Sequence, residues 1–274
     1  MIRCIRTGAN AMADDGRSHQ SLLYRIKTNA FSVVRGGLRY SSDILFPASC
    51  IGCRTQVSEP GTLCPQCWSQ LRFIEKPYCP VLGIPFNHDF GENFMSAEAI
   101  ADPPPFRRLR SAVLHRGAAQ RMAVGLKFHD RTDLAPWMAR WMQRAGRELL
   151  DECDVILPVP LHRWRFWSRR FNQSAELARA LSELSNKPFA PQAVKRIRRT
   201  DQQIGLGLKE RRRNVDGAFR VPKEHDIHVR GRRVLLVDDV YTTGSTVKAA
   251  TRALLRGGAK SVDVLTFSRV LPDT

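Results

Sequence analysis

The sequence predicts an α/β fold on a mostly parallel sheet, preceded by a small module held together by cysteines. Three observations predict it. From residue 106 onward, short apolar runs alternate with stretches of helical period, the pattern of parallel strands covered on both faces by helices. Val234-Leu235-Leu236-Val237 is an unbroken aliphatic run, as buried parallel strands are, and it leads into Asp238-Asp239-Val240-Tyr241-Thr242-Thr243-Gly244-Ser245-Thr246. Upstream, Cys50/Cys53 and Cys64/Cys67 form two CxxC pairs in a proline-rich segment with no long periodic stretch.

Taken in order, residues 1–44 read as an extension. It is polar up to Arg17, with Met12 as an alternative start. Leu22, Ile26, Phe31, Val34 and Leu38 then recur at roughly helical spacing, marking one or two short helices broken at Gly36-Gly37. Residues 45–104 hold the cysteine module and, from residue 87, a connector closing on Asp102-Pro103-Pro104-Pro105, in which Phe90 and Phe94 are candidates for packing. Residues 105–274 form the α/β domain. After the apolar stretch from Leu109 to Phe128, the expected elements are a helix from Ala135 to Leu150 and a strand from Asp154 to Pro160 closed by prolines. A helix from Asn172 to Ser185, a short strand from Val194 to Ile197 and a basic helix from Gly205 to Arg213 come next. The strand Val234 to Val237, a helix from Ser245 to Arg256 and a last strand from Val262 to Phe267 complete the domain. No internal repeat is legible. Ligands of such sheets bind beyond the carboxyl ends of the strands, where Asp238 to Thr246 fall.

The 274 residues suffice for one large or two smaller domains. No apolar run approaches the length that crosses a bilayer, and residues 1–17 lack the apolar core of a secretory signal. No membrane insertion and a cytoplasmic location are expected. The formal net charge of +18 is unevenly spread: residues 1–104 carry 10 Lys+Arg and 9 Asp+Glu, whereas residues 105–274 carry 34 and 17. Such a field draws polyanions, either nucleic acid or a phosphorylated small molecule or both. A solvated basic surface is the plainer alternative.

The seven cysteines are odd in number and clustered, which argues for metal rather than disulfides. A CxxC knuckle turns both thiolates toward one ion, and two knuckles complete a tetrahedral Cys₄ site of zinc-ribbon type. Cys50, Cys53, Cys64 and Cys67 would fill every position of the ion, so the zinc would be structural. It would staple a segment too small to fold by burial alone. A redox-active CxxC or an iron–sulfur cluster competes with this reading. Cys4, Cys79 and Cys153 stand outside the pattern and read as buried, inert thiols.

Gly244 permits close approach of backbone to a ligand, Thr242, Thr243, Ser245 and Thr246 supply hydroxyls, and the next helix start offers an anion site. Two adjacent acids would spoil a bare phosphate site unless they grip sugar hydroxyls or a metal. The stretch resembles the phosphoribosyl pyrophosphate (PRPP) signature of type I phosphoribosyltransferases. That resemblance implies that Asp238 and Asp239 are the catalytic acids and hold the ribose 2′ and 3′ hydroxyls. It also implies that Thr242, Thr243, Gly244, Ser245 and Thr246 wrap the 5′-phosphate, with Mg²⁺ on the pyrophosphate.

Cysteine module followed by PRPP motif resembles the ComF family, phosphoribosyltransferase-like proteins linked to DNA uptake in natural transformation. Leu126-Lys127-Phe128-His129-Asp130-Arg131, the strand end Pro158-Val159-Pro160-Leu161, Phe171-Asn172-Gln173 and the Arg199…Gln202…Arg211…Asn214…Ala218-Phe219 loop extend the likeness. Two positions depart from it: Leu82 stands where many relatives have the second cysteine of a third CxxC, and Arg170 stands where they have glycine. In this fold class the loop after Pro160 faces the pyrophosphate, which makes His162, Arg163 and Arg165 candidates for phosphate contact. Trp164 and Trp167 interleave with Arg163, Arg165, Arg169 and Arg170, a composition suited to stacking on single-stranded bases, or to packing against the N-terminal module. The basic runs Lys195–Arg199 and Lys209–Arg213 flank Gln203–Gly207, either as a hood over PRPP or as a solvated basic helix. Two functional classes follow. One is PRPP/Mg²⁺ binding with phosphoribosyl transfer. The other is non-catalytic handling of single-stranded DNA, with the PRPP site kept as sensor or relic. The implied partners are PRPP, single-stranded DNA or another polyanion, and other DNA-uptake proteins.

Overall fold

Among the described residues six strands carry the fold: β1 (Leu109–Leu114), β2 (Val155–Pro158), β3 (Lys195–Arg196), β4 (Phe219–Arg220), β5 (Arg233–Tyr241) and β6 (Ser261–Arg269). This is a computed structural model, and it describes residues 47–91, 93–128, 131–161, 171–198 and 217–271. The helices expected before residue 47 and over 205–213 lie outside the described residues. Four strands pair in parallel in the order β1-β6-β5-β2. β3 and β4 pair antiparallel as a separate ribbon, so the short strand expected at 194–197 is formed but does not join the main sheet.

Strand alternation sorts the aliphatic runs to two faces. Leu235, Val237, Leu265 and Phe267 meet α3 (Gly117–Phe128), α4 (Ala135–Ala145), α5 (Arg147–Glu152) and α6 (Gln173–Ser185). Val234, Leu236, Val262 and Val264 meet α7 (Ser245–Arg256) and Phe219. The sheet is covered on both sides, which is why its strands need no polar face. Two further one-turn helices, α1 (Pro65–Ser69) and α2 (Ala97–Ala101), lie upstream. The second interrupts what the sequence suggested was a plain connector.

The structure departs from expectation in three places. The helix expected from Ala135 to Leu150 is broken at Gly146, which caps the end of α4 with its N–H on Met142 O at 2.8 Å and leads into α5; the Leu265 side chain lies 2.7 Å from where a Cβ would sit, so helix and sheet approach closely there. Residues 72–74 run antiparallel along the outer edge of β1, with Ile74 N–H donating to Ala112 O at 3.0 Å and Leu114 N–H to Arg72 O at 2.8 Å. They shield an edge that would otherwise offer unpaired backbone groups. Finally, β5 does not stop at Val237. β6 runs beside it as far as Tyr241, pairing Asp238 with Thr266 and Val240 with Ser268. The acid pair therefore belongs to the strand and not to the loop after it. On the other flank β2 ends opposite Val237, and Val159 N–H to Val237 O at 2.8 Å is the last bond across. The end of β5 thus projects past its shorter neighbour. Among the described residues no helix is long and apolar enough to cross a membrane.

Candidate functional site

The strand ends gather one set of polar groups at the carboxyl edge of the sheet. Val237 and Val240 both pack into the cluster beneath α3, α4 and α6, although strict alternation would separate residues three apart. Asp238 accepts a hydrogen bond from Ser174 Oγ at 2.8 Å and from the Asp239 amide at 3.0 Å. Ser174 is delivered by the first turn of α6, whose N-cap Asn172 accepts from the Ser174 amide and donates from Nδ2 to Val159 O at 3.1 Å. A single cap thus ties the exit of β2 to the partner of Asp238. Asp238 keeps some exposed area, but its carboxylate is enclosed by protein. Burial, and then the charge of Asp239, push its pKa up to about 8.

Asp239 is 9% exposed and its Oδ1 accepts from the Val240 amide at 2.8 Å. His115, just past β1, feels the charge of Asp239 and shares a hydrogen bond with Ser268 Oγ through Nδ1 at 2.9 Å. Burial lowers the His115 pKa, so this imidazole is neutral at pH 7. Three residues, Thr242 to Gly244, then turn the chain into α7. Gly244 caps the helix at φ 71°, and a Cβ there would stand 2.4 Å from Tyr241 Oη. Thr243 Oγ1 and Ser245 Oγ lie 2.9 Å apart, bracing the loop. Gly244→Ala is expected to cost about 1–3 kcal/mol, because it brings both a disfavoured φ and a clash with a buried ring. A lowered midpoint in denaturant unfolding checks this.

The second centre is made of thiols. Cys50, Cys53, Cys64 and Cys67 place their sulfurs within 4.8 Å of one another, with Cys53 and Cys64 at 3.6 Å. Sulfurs around a tetrahedral zinc with bonds of about 2.3 Å stand roughly 3.8 Å apart, so the donor set fits that ion. The backbone is arranged for negative sulfur. Cys50 Sγ accepts the amides of Gly52 and Cys64 at 3.4 and 3.2 Å, Cys64 Sγ accepts that of Cys67, and Arg121 Nη2 on α3 reaches Cys67 Sγ at 3.3 Å. As free thiols Cys53 and Cys67 diverge: hydrogen bonding with Thr55 pulls Cys53 down to about 6, while burial pushes Cys67 up to about 12. A dication between them favours the thiolate at all four.

Of the residues singled out from sequence, Asp238, Asp239 and Thr242 to Thr246 come together at the sheet edge, and the four cysteines come together around one point. His162, Arg163, Trp164, Arg165, Trp167, Arg169 and Arg170 lie outside the described residues. Cys79 and Cys153 are buried, as expected; burial raises Cys153 to about 11. Cys79 instead sits lowered, with the Ser96 and Leu82 amides directed at its sulfur. Ser174 and His115 carried no local signal in the sequence, since each meets the acids only through the sheet.

A zinc-ribbon module packed on a phosphoribosyltransferase-type α/β domain is the class these features define. Residues 41–100 match the family described as double zinc ribbon domain, and residues 176–270 the phosphoribosyl transferase domain. The chain is 33% identical over 217 residues to the DNA utilization protein YhgH of Escherichia coli O157:H7, covering 76% of this chain and 91% of that protein. It is 29% identical to Competence protein F of Haemophilus influenzae (82% and 98% covered) and 26% identical to Competence protein ComFC of Bacillus subtilis (80% and 94%). The chain belongs to the ComF family. Among solved structures, the allosteric regulatory enzyme of purine biosynthesis aligns with 53% of this chain and 30% of its own, at 20% identity and a TM-score of 0.36.

Proposed function

We propose that the carboxyl edge of the sheet binds Mg²⁺–PRPP and that the protein uses this site in handling single-stranded DNA. One observation carries the first half: the acid pair at the projecting end of β5 opens through Thr242–Gly244 directly onto the start of α7. Asp238 and Asp239 hold the ribose hydroxyls, as ionised carboxylates accept strongly from O–H donors. The loop and the first turn of α7 take the 5′-phosphate, with amides and the hydroxyls of Thr242, Thr243, Ser245 and Thr246. Mg²⁺ neutralises the pyrophosphate. His162 and Arg163 are the further contacts proposed for that group. In transfer, the anomeric carbon turns cationic as pyrophosphate leaves, and fixed carboxylates nearby offset the charge.

The DNA half is supported by the relatives named for DNA utilization and competence, and by the net charge of residues 105–274. That same charge favours a second reading, in which the protein binds single strands without transferring anything. Titration calorimetry with Mg²⁺–PRPP, with and without an oligodeoxynucleotide, tests both. PRPP heats should require Mg²⁺. DNA affinity should fall about 50-fold between 50 and 200 mM salt if four phosphates are neutralised. Absence of PRPP heats ends the first proposal, and absence of DNA binding at low salt ends the second. Pyrophosphate release in the presence of an acceptor separates transfer from binding alone.

A further inference from the structure

We infer that residues 78–102 are a second ribbon, a structural copy of the first, in which the metal centre has been replaced by a closed apolar core. Each chain then carries one structural zinc, although the matched family is described as a double ribbon.

The copy is visible in backbone bonding, one partner after another. In the first ribbon, Ser49 bridges Gln56 antiparallel, Cys50 N–H donates to Thr55 O, and Arg54 N–H donates back to Cys50 O from a residue at φ 67°. In the second, Tyr78 bridges Pro85, Cys79 N–H donates to Ile84 O, and Gly83 N–H donates back to Cys79 O from φ 59°. Each knuckle faces a five-residue helix. α1 is capped by Cys64, whose side chain accepts from Cys67 N, and α2 by Ser96, whose side chain accepts from Ala99 N. The cap amide crosses to the knuckle sulfur in both, from Cys64 to Cys50 Sγ at 3.2 Å and from Ser96 to Cys79 Sγ at 3.4 Å. The equivalences are therefore Cys50 with Cys79, Cys53 with Leu82, Cys64 with Ser96, and Cys67 with Ala99.

Only one of the four second positions can ligate a soft dication well. Leu82 and Ala99 are 1% and 4% exposed and fill the centre with hydrocarbon, and the Ser96 hydroxyl is engaged as a helix cap. Among the described residues, the four-cysteine cluster of the first ribbon is the one group able to hold a metal. The sheet fixes the second knuckle instead. Arg110 Nη1 donates to Pro80 O at 2.9 Å, Leu109 N–H to Val81 O at 2.8 Å, and Arg269 Nη1 to Leu82 O. Three successive carbonyls of the knuckle are thus held by β1 and β6. Lys248 of α7 bonds Asp102 at the end of α2 at 2.8 Å. Arg269 also lies over the ring of Tyr241, the residue beneath Gly244. Buried arginines tie the second ribbon to the domain, where zinc ties the first together.

Elemental analysis of the purified full chain is expected to give one zinc per chain, unchanged in Cys79→Ser and lost in Cys64→Ser. Two zinc ions in the wild type overturn the inference. The triple variant Leu82→Cys, Ser96→Cys, Ala99→Cys restores the donor set and should double the zinc content; a folded triple variant still holding one ion refutes the equivalence. Should that variant not fold, hydrogen exchange of the wild type under chelation decides. Residues 50–67 should lose amide protection while 78–102 keep it, and loss across both segments counts against a metal-free second ribbon.

Discussion

Replacing Cys64 by serine is expected to empty the zinc site and to lower the melting temperature by at least about 10 °C. The size follows from what the ion holds. Structural zinc contributes roughly 10–16 kcal/mol of apparent folding free energy in small peptides at neutral pH. Only part of that reaches this chain, because the ribbon also packs on the domain. Cys50, Ile51, Cys64, Cys67 and Leu71 share one buried cluster with Ala118, Ala119 and Met122 of α3. From α1 an aromatic series runs inward, Trp68 to Phe73 at 5.8 Å, Phe73 to Trp141 at 5.5 Å and Trp141 to Phe267 at 6.1 Å. Losing the ribbon uncovers α3 and releases residues 72–74 from the edge of β1. A loss of about 5 kcal/mol is in keeping with whole-domain stabilities of about 5–15 kcal/mol. At about 2–4 °C per kcal/mol for a domain of this size, that gives the stated shift. Protons compete with zinc for the thiolates, so acid should reproduce the variant: zinc leaves as pH falls and returns as it rises. Zinc content and melting temperature measured together check this. A Cys64→Ser protein that keeps its melting temperature shows that packing alone holds the ribbon. Cys153→Ser is the control, since that buried thiol accompanies no other ligand and should leave zinc untouched.

What was legible in the sequence was what is set locally. The run from Val234 to Arg256 signals strand, turn and helix through neighbouring residues, and the start of α7 at Ser245 matches the expectation. The helix expected from Asn172 to Ser185 matches α6 to within its cap residue, and each CxxC announced a knuckle. What escaped was set by distant partners. Paired acids look like a turn, but β6 alongside them keeps Asp238 and Asp239 in the strand. Gly146 looks like a tolerable helix residue, but it ends α4 where Leu265 comes close. Ser174 lies 64 residues from Asp238 and meets it only because α6 crosses the end of the sheet. The likeness of the two ribbons was hidden for a different reason. It survives in backbone bonds, while three of the four side chains that would have shown it are leucine, serine and alanine.

Asp238→Asn and Asp239→Asn are expected to weaken PRPP binding by roughly 10- to 100-fold each, the worth of about 1.5–3 kcal/mol for a hydrogen bond to a charged group, without unfolding the domain. The distinguishing feature is the sign of the accompanying stability change. Burial and the neighbouring charge hold the Asp238 pKa up to about 8, above its ordinary value of 3.8. The folded protein therefore binds that proton more tightly than the unfolded chain does. The resulting stabilisation is full below the ordinary carboxylate value and is gone once pH passes the folded value, so this acid burdens the fold most in alkaline solution. Asparagine removes the burden: Asp238→Asn should match the wild type below about pH 4 and exceed it progressively as pH rises toward 8. Asp239→Asn removes the like charge, so Asp238 should titrate lower. Ligand binding reads the same proton in reverse. Ribose hydroxyls favour the carboxylate form, so PRPP affinity should climb between pH 6 and 8, and the Asp238-dependent part of that climb should vanish in Asp238→Asn. Calorimetry in buffers of different ionisation enthalpy would show the proton leaving on binding. An acid that served only the strand would behave otherwise, its removal costing stability and leaving the PRPP heats alone. Binding lost while alkaline stability rises is the signature of a carboxylate kept buried for its ligand.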